Sequence, residues 1–118
     1  PSISTRNGRG VLALGTPGSY GILQTQVQAM VSHVDFGLDV QAAIEMPRAR
    51  LWDGKQIYLE RRVPHSVCVE LSARGHDVLL LPDFSWRTGG MQAVSRDPDS
   101  GALAGAADSR RDGAVVPA

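Results

Sequence analysis

Apolar positions along the chain change their spacing several times, and each change marks a different element. Val11-Leu12-Ala13-Leu14 is a short continuous apolar run bounded by Gly10 and Gly15, the pattern of a buried strand. The turn-rich segment Gly15-Thr16-Pro17-Gly18-Ser19-Tyr20-Gly21 cannot extend it. From Ile22 the period lengthens. Ile22, Leu23, Val27, Met30, Val31 and Val34 recur at three- and four-residue steps, with Gln24, Gln26, Gln28 and His33 between them. This spacing predicts an amphipathic helix of about three turns with those residues as its apolar face. Gly37 ends it, and Asp39 caps a second short helix, Val40 to Met46, that Pro47 stops. Arg48 to Asp53 reads as extended, and Gln56 to Leu59 as a strand after the Asp53-Gly54 turn. Pro64 suits the first position of a third helix carrying Val67, Cys68 and Leu71, with Gly75 as its left-handed stop. Strands follow at Asp77 to Leu81, Met91 to Ser95 and Leu103 to Ala107, with a loop from Pro82 to Gly90 and a turn from Asp97 to Gly101.

Short strands mixed with three short helices predict an α+β or layered α/β fold. The 118 residues suit one domain, divided here into a folded unit 1–113 and a tail 114–118. Twelve basic residues balance twelve acidic ones, so no net field draws the chain to nucleic acid. Trp52 and Trp86 then read as isolated core-edge or subunit-contact residues and not as base-stacking platforms. No apolar run approaches the roughly 18 residues of a membrane span. Pro1 to Thr5 lacks the basic and apolar regions of a signal peptide, and the missing initiator Met points to a processed, trimmed or engineered terminus. The single cysteine, Cys68, excludes an internal disulfide and a cysteine-based zinc site, and leaves the compartment open between cytoplasm and periplasm. Three scattered histidines without paired spacing give no metal site, and no cofactor is expected. Asp35 and Asp39 read as a helix end and a helix cap, Arg48 and Arg50 as members of a structural ion pair, and Arg110, Arg111 and Asp112 as a packing cluster at the chain end.

The segment Gly15 to Gly21 has two readings on its own spacing. It is a tight strand-to-helix connection, or it is a bend whose successive amides converge on an anion ahead of a helix. In acyl transfer that anion is the oxygen of a tetrahedral intermediate. The surrounding words bear on the choice. Gly15-Thr16-Pro17-Gly18, Gln24-Thr25, Asp35-Phe36-Gly37-Leu38-Asp39, Ala42-Ala43-Ile44-Glu45-Met46-Pro47-Arg48, Arg74-Gly75-His76 and Gly105-Ala106-Ala107-Asp108 occur in this order. Together they resemble the C-terminal part of the small catalytic subunit of γ-glutamyltranspeptidases, with the start closest to the bacterial acylase-like branch. The resemblance implies part of a layered α-β-β-α sandwich of the N-terminal-nucleophile hydrolase type. It implies cleavage of γ-glutamyl amides through an acyl-enzyme on an N-terminal threonine that lies upstream of this chain. The partners implied are the upstream part of the small subunit, the large subunit and a small γ-glutamyl substrate, with self-association of an isolated half-sheet as a further expectation. Carried over position by position, the oxyanion donors are the amides of Gly18 and Ser19, and Thr16, Pro17 and Tyr20 are the substrate-side residues. Ser19 departs from the family's second glycine and Tyr20 from its small or polar residue. These departures keep open an alternative, a non-catalytic binding module built on the same fold.

Overall fold

Two residues, Asn7 and Gly8, set the first hairpin. Both take positive φ, +53° and +75°, as a two-residue turn between twisted strands requires. The computed structural model describes residues 1–117, so the last tail residue, Ala118, lies outside the described residues. In chain order the elements are β1 (Ser2–Arg6), β2 (Arg9–Gly15), α1 (Gly21–Val34), α2 (Val40–Glu45), β3 (Ala49–Leu51), β4 (Gln56–Glu60), α3 (His65–Ala73), β5 (Asp77–Leu81), β6 (Gln92–Arg96) and β7 (Leu103–Ala107), with one turn of 3-10 helix at Trp86–Thr88. β1 is the strand the apolar pattern does not announce, because Ile3 is its one large apolar residue.

The strands form an antiparallel sheet in the order β1-β2-β6-β7 and a smaller one in the order β3-β4-β5, whose β4–β5 pair is parallel. One face of the larger sheet is covered. Leu14, Ala93 and Ala106 lie side by side across its three adjoining strands, and with Leu12 they meet Ala29 of α1 and Val40 and Ile44 of α2. On the opposite face Ile3, Ala13, Val94 and Gly105 are in register, and Ile3 and Val94 are exposed. A β-sheet apolar on both faces and covered on one is half of a sandwich. Of the tail, Val115 reaches this open face: a Cβ at Gly105 would meet its Cγ1 at 2.5 Å. The second core gathers Ile57, Leu59 and Cys68 between the smaller sheet and α3.

α1 reverses the expected facing. Its buried residues are Gly21, Thr25, Ala29 and Ser32, while Leu23 and Val27 are 76% and 61% exposed and Val34 is exposed as well. The apolar period is real, but the helix presents its small-residue face to the sheet and the surrounding loops. Gln24 and Gln28 are not solvent-facing spacers either. The Gln24 side chain accepts from Leu51 N (2.7 Å) and donates to Leu51 O (3.1 Å), and Gln28 does the same with Ala49 at 2.9 and 2.8 Å. Two glutamines one turn apart thus pair with the free edge of β3 as a neighbouring strand would. Gln41 of α2 treats the β7 edge in the same way through both backbone groups of Ala107.

Caps follow the sequence closely. The Asp39 side chain accepts from Ala42 N at 2.8 Å, and Gly75 ends α3 at φ +90°. Pro64 stands one residue ahead of α3, as its N-cap. Among the described residues no helix is long and apolar enough to cross a membrane.

Candidate active site

The segment from Gly15 to Gly21 joins the end of β2 to the start of α1. Gly18 takes φ +132° and Ser19 φ +52°, after which Tyr20 returns to φ −55°. The chain is thus bent through two successive left-handed residues. Serine pays for this with roughly 1–2 kcal/mol of steric strain that glycine avoids. The carbonyls of the bend are used: Gly21 N donates to Gly18 O and Ile22 N to Ser19 O, each at 3.0 Å. Its amides are not. Among the described residues, neither Gly18 N nor Ser19 N donates to a protein acceptor. Ser19 and Tyr20 are exposed and Gly18 is half-buried, so both free donors are near the surface.

What holds the bend comes from the far end of the chain. Thr16 Oγ1 donates to Pro17 O (3.1 Å) and accepts from Gly90 N (3.0 Å), which occupies its hydroxyl within the protein. Thr25 Oγ1 donates to Thr88 O at 2.8 Å. Gly89 lies between these contacts at φ +105°, and a Cβ there would stand 2.6 Å from Thr16 Oγ1. Only a glycine lets the two segments close to this distance.

Behind Thr88 lies a buried charge cluster. Arg110 Nε and Nη2 both donate to the Glu60 carboxylate at 2.6 Å, and Arg110 Nη1 reaches Asp108 at 3.1 Å. Arg48 Nη1 pairs with Asp108 at 2.7 Å and also donates to Thr88 O. Glu60 also accepts from the amides of Arg48 and Ser85, from Thr88 Oγ1 and from Arg62 Nη2, each at 3.0 Å. Burial alone raises the Glu60 carboxyl, but the hydrogen bonds from Arg110 and the Ser85 amide outweigh it and hold the group below its ordinary value. Asp108 is held down in the same sense: burial opposes, and the Arg48 charge and the Met91 amide prevail. Arg110 is driven up by Glu60 against its own desolvation, whereas Arg48 is lowered by burial and by the Arg110 charge. Every buried charge in the cluster has a partner, the condition under which burial is tolerated.

Arg48 is therefore the ion-pair member expected from the sequence. Arg50 is not: its Nη1 donates to the carbonyl of Arg87 at 2.7 Å, and no carboxylate pairs with it among the described residues. Arg110 is more than a terminal packing residue, since it bridges both acids. Glu60 went unnoticed in the sequence, although an acid ending the apolar run Ile57-Tyr58-Leu59 was the available signal. Asp35 and Asp39 sit at a helix end and a cap, and the His33 ring contacts Leu38 O at 2.7 Å. Trp52 and Trp86 are not isolated, because they share one groove with Arg50, Tyr58 and Arg87.

Residues 1–118 match the family model described as Gamma-glutamyltranspeptidase. The chain is 40% identical over 117 residues to the Acylase ACY 1 proenzyme of Pseudomonas sp. (strain V22), covering 98% of this chain and 20% of that protein. It is 32% identical to the Glutathione hydrolase proenzyme of Bacillus subtilis (strain 168), covering 98% of this chain and 19% of that one. Among solved structures it is similar to cephalosporin acylase from Bacillus halodurans, with a TM-score of 0.88 at 35% identity over 95% of this chain and 21% of the other. It is likewise similar to Gamma-glutamyltranspeptidase from Pseudomonas nitroreducens complexed with L-DON, with a TM-score of 0.86 at 30% identity over all of this chain and 61% of the other. The chain thus spans about a fifth of the length of these curated relatives.

Proposed function

The chain belongs to the γ-glutamyltranspeptidase family, and from that premise we propose that it supplies the oxyanion-binding bend of an enzyme that cleaves γ-glutamyl or related amides. Its α+β fold is one part of the layered α-β-β-α sandwich of N-terminal-nucleophile hydrolases. The observation that carries the reading is the pair of unspent amides at Gly18 and Ser19, held at positive φ by contacts from residues 88–90.

In the proposed reaction an N-terminal threonine hydroxyl from outside these 118 residues attacks the amide carbonyl carbon. A C–O bond forms, the carbonyl electron pair moves onto oxygen, and the threonine α-amine takes the hydroxyl proton. The two amides stabilise the resulting oxyanion, an effect worth about 3 kcal/mol per donor. Collapse breaks the C–N bond, and the proton passes to the leaving amine. Water or a second amine then takes the acyl group from the threonine. Ser19 adopts φ +52° despite its side chain, so its departure from glycine, which argued for a binding-only module, does not close the bend. The open sheet face around Ile3 and Val94 and the outward stripe of α1 at Leu23 and Val27 are the surfaces that the remaining polypeptide of the complete protein covers.

The test is turnover by the complete gene product. Release of p-nitroaniline from a γ-glutamyl anilide, or of the amine from an acylated β-lactam nucleus, is expected from the processed protein and not from the 118-residue chain alone. Turnover by the 118 residues alone would contradict the placement of the nucleophile. A processed protein inert toward both donors would remove the acyl-transfer reading.

A further inference from the structure

Ser4, Leu12, Ser95 and Ala104 stand side by side across the four strands of the larger sheet, two residues along from the row of Leu14, Ala93 and Ala106. At this second row the helices run out. α1 ends at Val34 and α2 begins at Val40, and between these ends and the sheet lies a trough of about 710 Å³, within the ordinary range of small-molecule sites. Its apolar body is Val11, Leu12, Val34, Val40 and Leu103. Leu12 and Val40 are buried, whereas Val34 and Leu103 are 63% and 72% exposed. Because α1 has 14 residues, the trough at its far end is about 20 Å from the Gly15–Gly21 bend.

One end of the trough is basic. Arg6 and Arg96 line it and, with Arg9, continue into an adjoining recess of about 330 Å³. Arg6 and Arg9 are direct cross-strand partners, an arrangement of like charges that destabilises a hairpin. Arg96 folds over the turn that follows it, with Nη2 3.4 Å from where a Cβ on Gly101 would be. Among the described residues, none of the three arginines forms an ion pair. The neighbouring acids do not neutralise them. Asp39 accepts from Ala42 N to cap α2, and Asp97 Oδ1 accepts from Ser100 N and Ser100 Oγ, each at 2.6 Å. Asp99 alone borders the recess with a carboxylate outside such a bond, so three guanidinium groups leave this end positive.

An apolar channel flanked at one end by unpaired guanidinium groups matches a chain that terminates in an anion. We propose that the trough binds a single-chain alkyl carboxylate. The chain lies on Val11, Leu12 and Val40, and the head meets Arg6 and Arg96. This charge complementarity fixes the direction of the ligand and disfavours a neutral chain of the same length. A membrane surface fits less well, since it calls for a broad face of roughly four to eight lysines and arginines, and here three stand at one end of a cleft.

Binding here requires no turnover, so the complete protein serves for the test whether or not it is catalytically active. Isothermal titration with butanoate, hexanoate and octanoate, each free in solution, should show affinity rising roughly fourfold per added methylene, the factor that burial of one CH2 carries. Octan-1-ol, with the same chain and no charge, should bind about tenfold more weakly than octanoate. Replacing both arginines, Arg6→Gln with Arg96→Gln, should lower octanoate affinity by about the same factor and leave octan-1-ol unchanged. Both side chains are exposed, so the fold is kept. Ala104→Trp, at an exposed position of the row that lines the trough, should abolish binding of both chains. Octanoate affinity untouched by the double substitution would put the ligand elsewhere and overturn the site, as would equal affinity for octanoate and octan-1-ol. Failure of every chain to bind would overturn it too and assign the trough to polypeptide of the complete protein. Association with phosphatidylglycerol vesicles in place of free octanoate would overturn it in favour of a membrane contact.

Discussion

Replacing Gly89 by alanine tests how the bend is held. Gly89 has φ +105° and ψ −163°, a region essentially confined to glycine, and an L-residue placed there costs on the order of 1–3 kcal/mol. The added Cβ also meets Thr16 Oγ1 at 2.6 Å and Thr25 Cγ2 at 3.3 Å. The Thr16 hydroxyl must then swing away from Gly90 N, leaving that amide unpaired at a further cost of about 1–3 kcal/mol. The sum is roughly 2–6 kcal/mol of local destabilisation, passed to Thr16, which stands two residues before Gly18. A displacement of about 1 Å at a positioned catalytic group costs on the order of 100-fold in rate. In the complete protein, Gly89→Ala is therefore expected to lower kcat by about that factor with KM for the donor changed much less. Gly54→Ala is the control: Gly54 also has positive φ, +51°, but its Cβ would meet nothing within 4 Å, so it carries strain without a clash and should leave kcat unchanged. Steady-state kinetics on both variants decide the matter. A Gly89→Ala protein with wild-type kcat would refute the dependence of the bend on close packing at Gly89.

Three further outcomes follow from the same geometry. Ser19→Gly relieves the left-handed strain at φ +52° while raising the flexibility of the unfolded chain, so stability should change by less than about 1 kcal/mol and kcat should hold or rise; a large loss of kcat would exclude backbone donation at that position. Gln24→Leu removes two bonds to the β3 edge and one to Tyr20 O, and hydrogen exchange at Leu51 N should quicken while that at Leu59 N, inside the smaller sheet, does not. The Glu60 and Asp108 carboxyls are held below their ordinary values of 4.5 and 3.8, so the unfolded chain binds more protons than the folded one as the medium turns acid. The stability they give is complete above about pH 4.5 and is lost as pH falls further through the depressed folded values. Equilibrium unfolding from pH 7 to pH 3 should thus show a plateau and then a decline below about pH 4.5, and a decline already under way at pH 6 would contradict the assignment.

Much of the fold was legible because local chemistry decides it. Asp39 caps, Pro47 stops and Gly75 ends their helices through bonds or dihedral limits that involve only near neighbours, and β5 has the bounds the pattern gives it. The direction of α1 was not legible. A period identifies an apolar stripe but not which face meets the sheet, and here Gly21, Thr25, Ala29 and Ser32 take the inward side. The edge pairing of Gln24 and Gln28 was not legible because their partners, Leu51 and Ala49, are 27 and 21 residues away. The convergence of Trp52 with Trp86, and of Glu60 with Arg110 across 50 residues, is equally a product of tertiary pairing. The reading of Gly18 and Ser19 as amide donors came from the ordered words around them, and in the structure Ser19 takes φ +52°.

The most direct measurement is a structure of the processed complete protein carrying a tetrahedral boronate or phosphonate adduct on its nucleophile. The adduct oxygen that stands for the oxyanion should lie within about 2.7–3.1 Å of both Gly18 N and Ser19 N, with Thr16 still bonded to Gly90. An adduct oxygen held by other donors, with these two amides bonded inside the protein or facing away from it, would leave the bend as a strand-to-helix connection and nothing more.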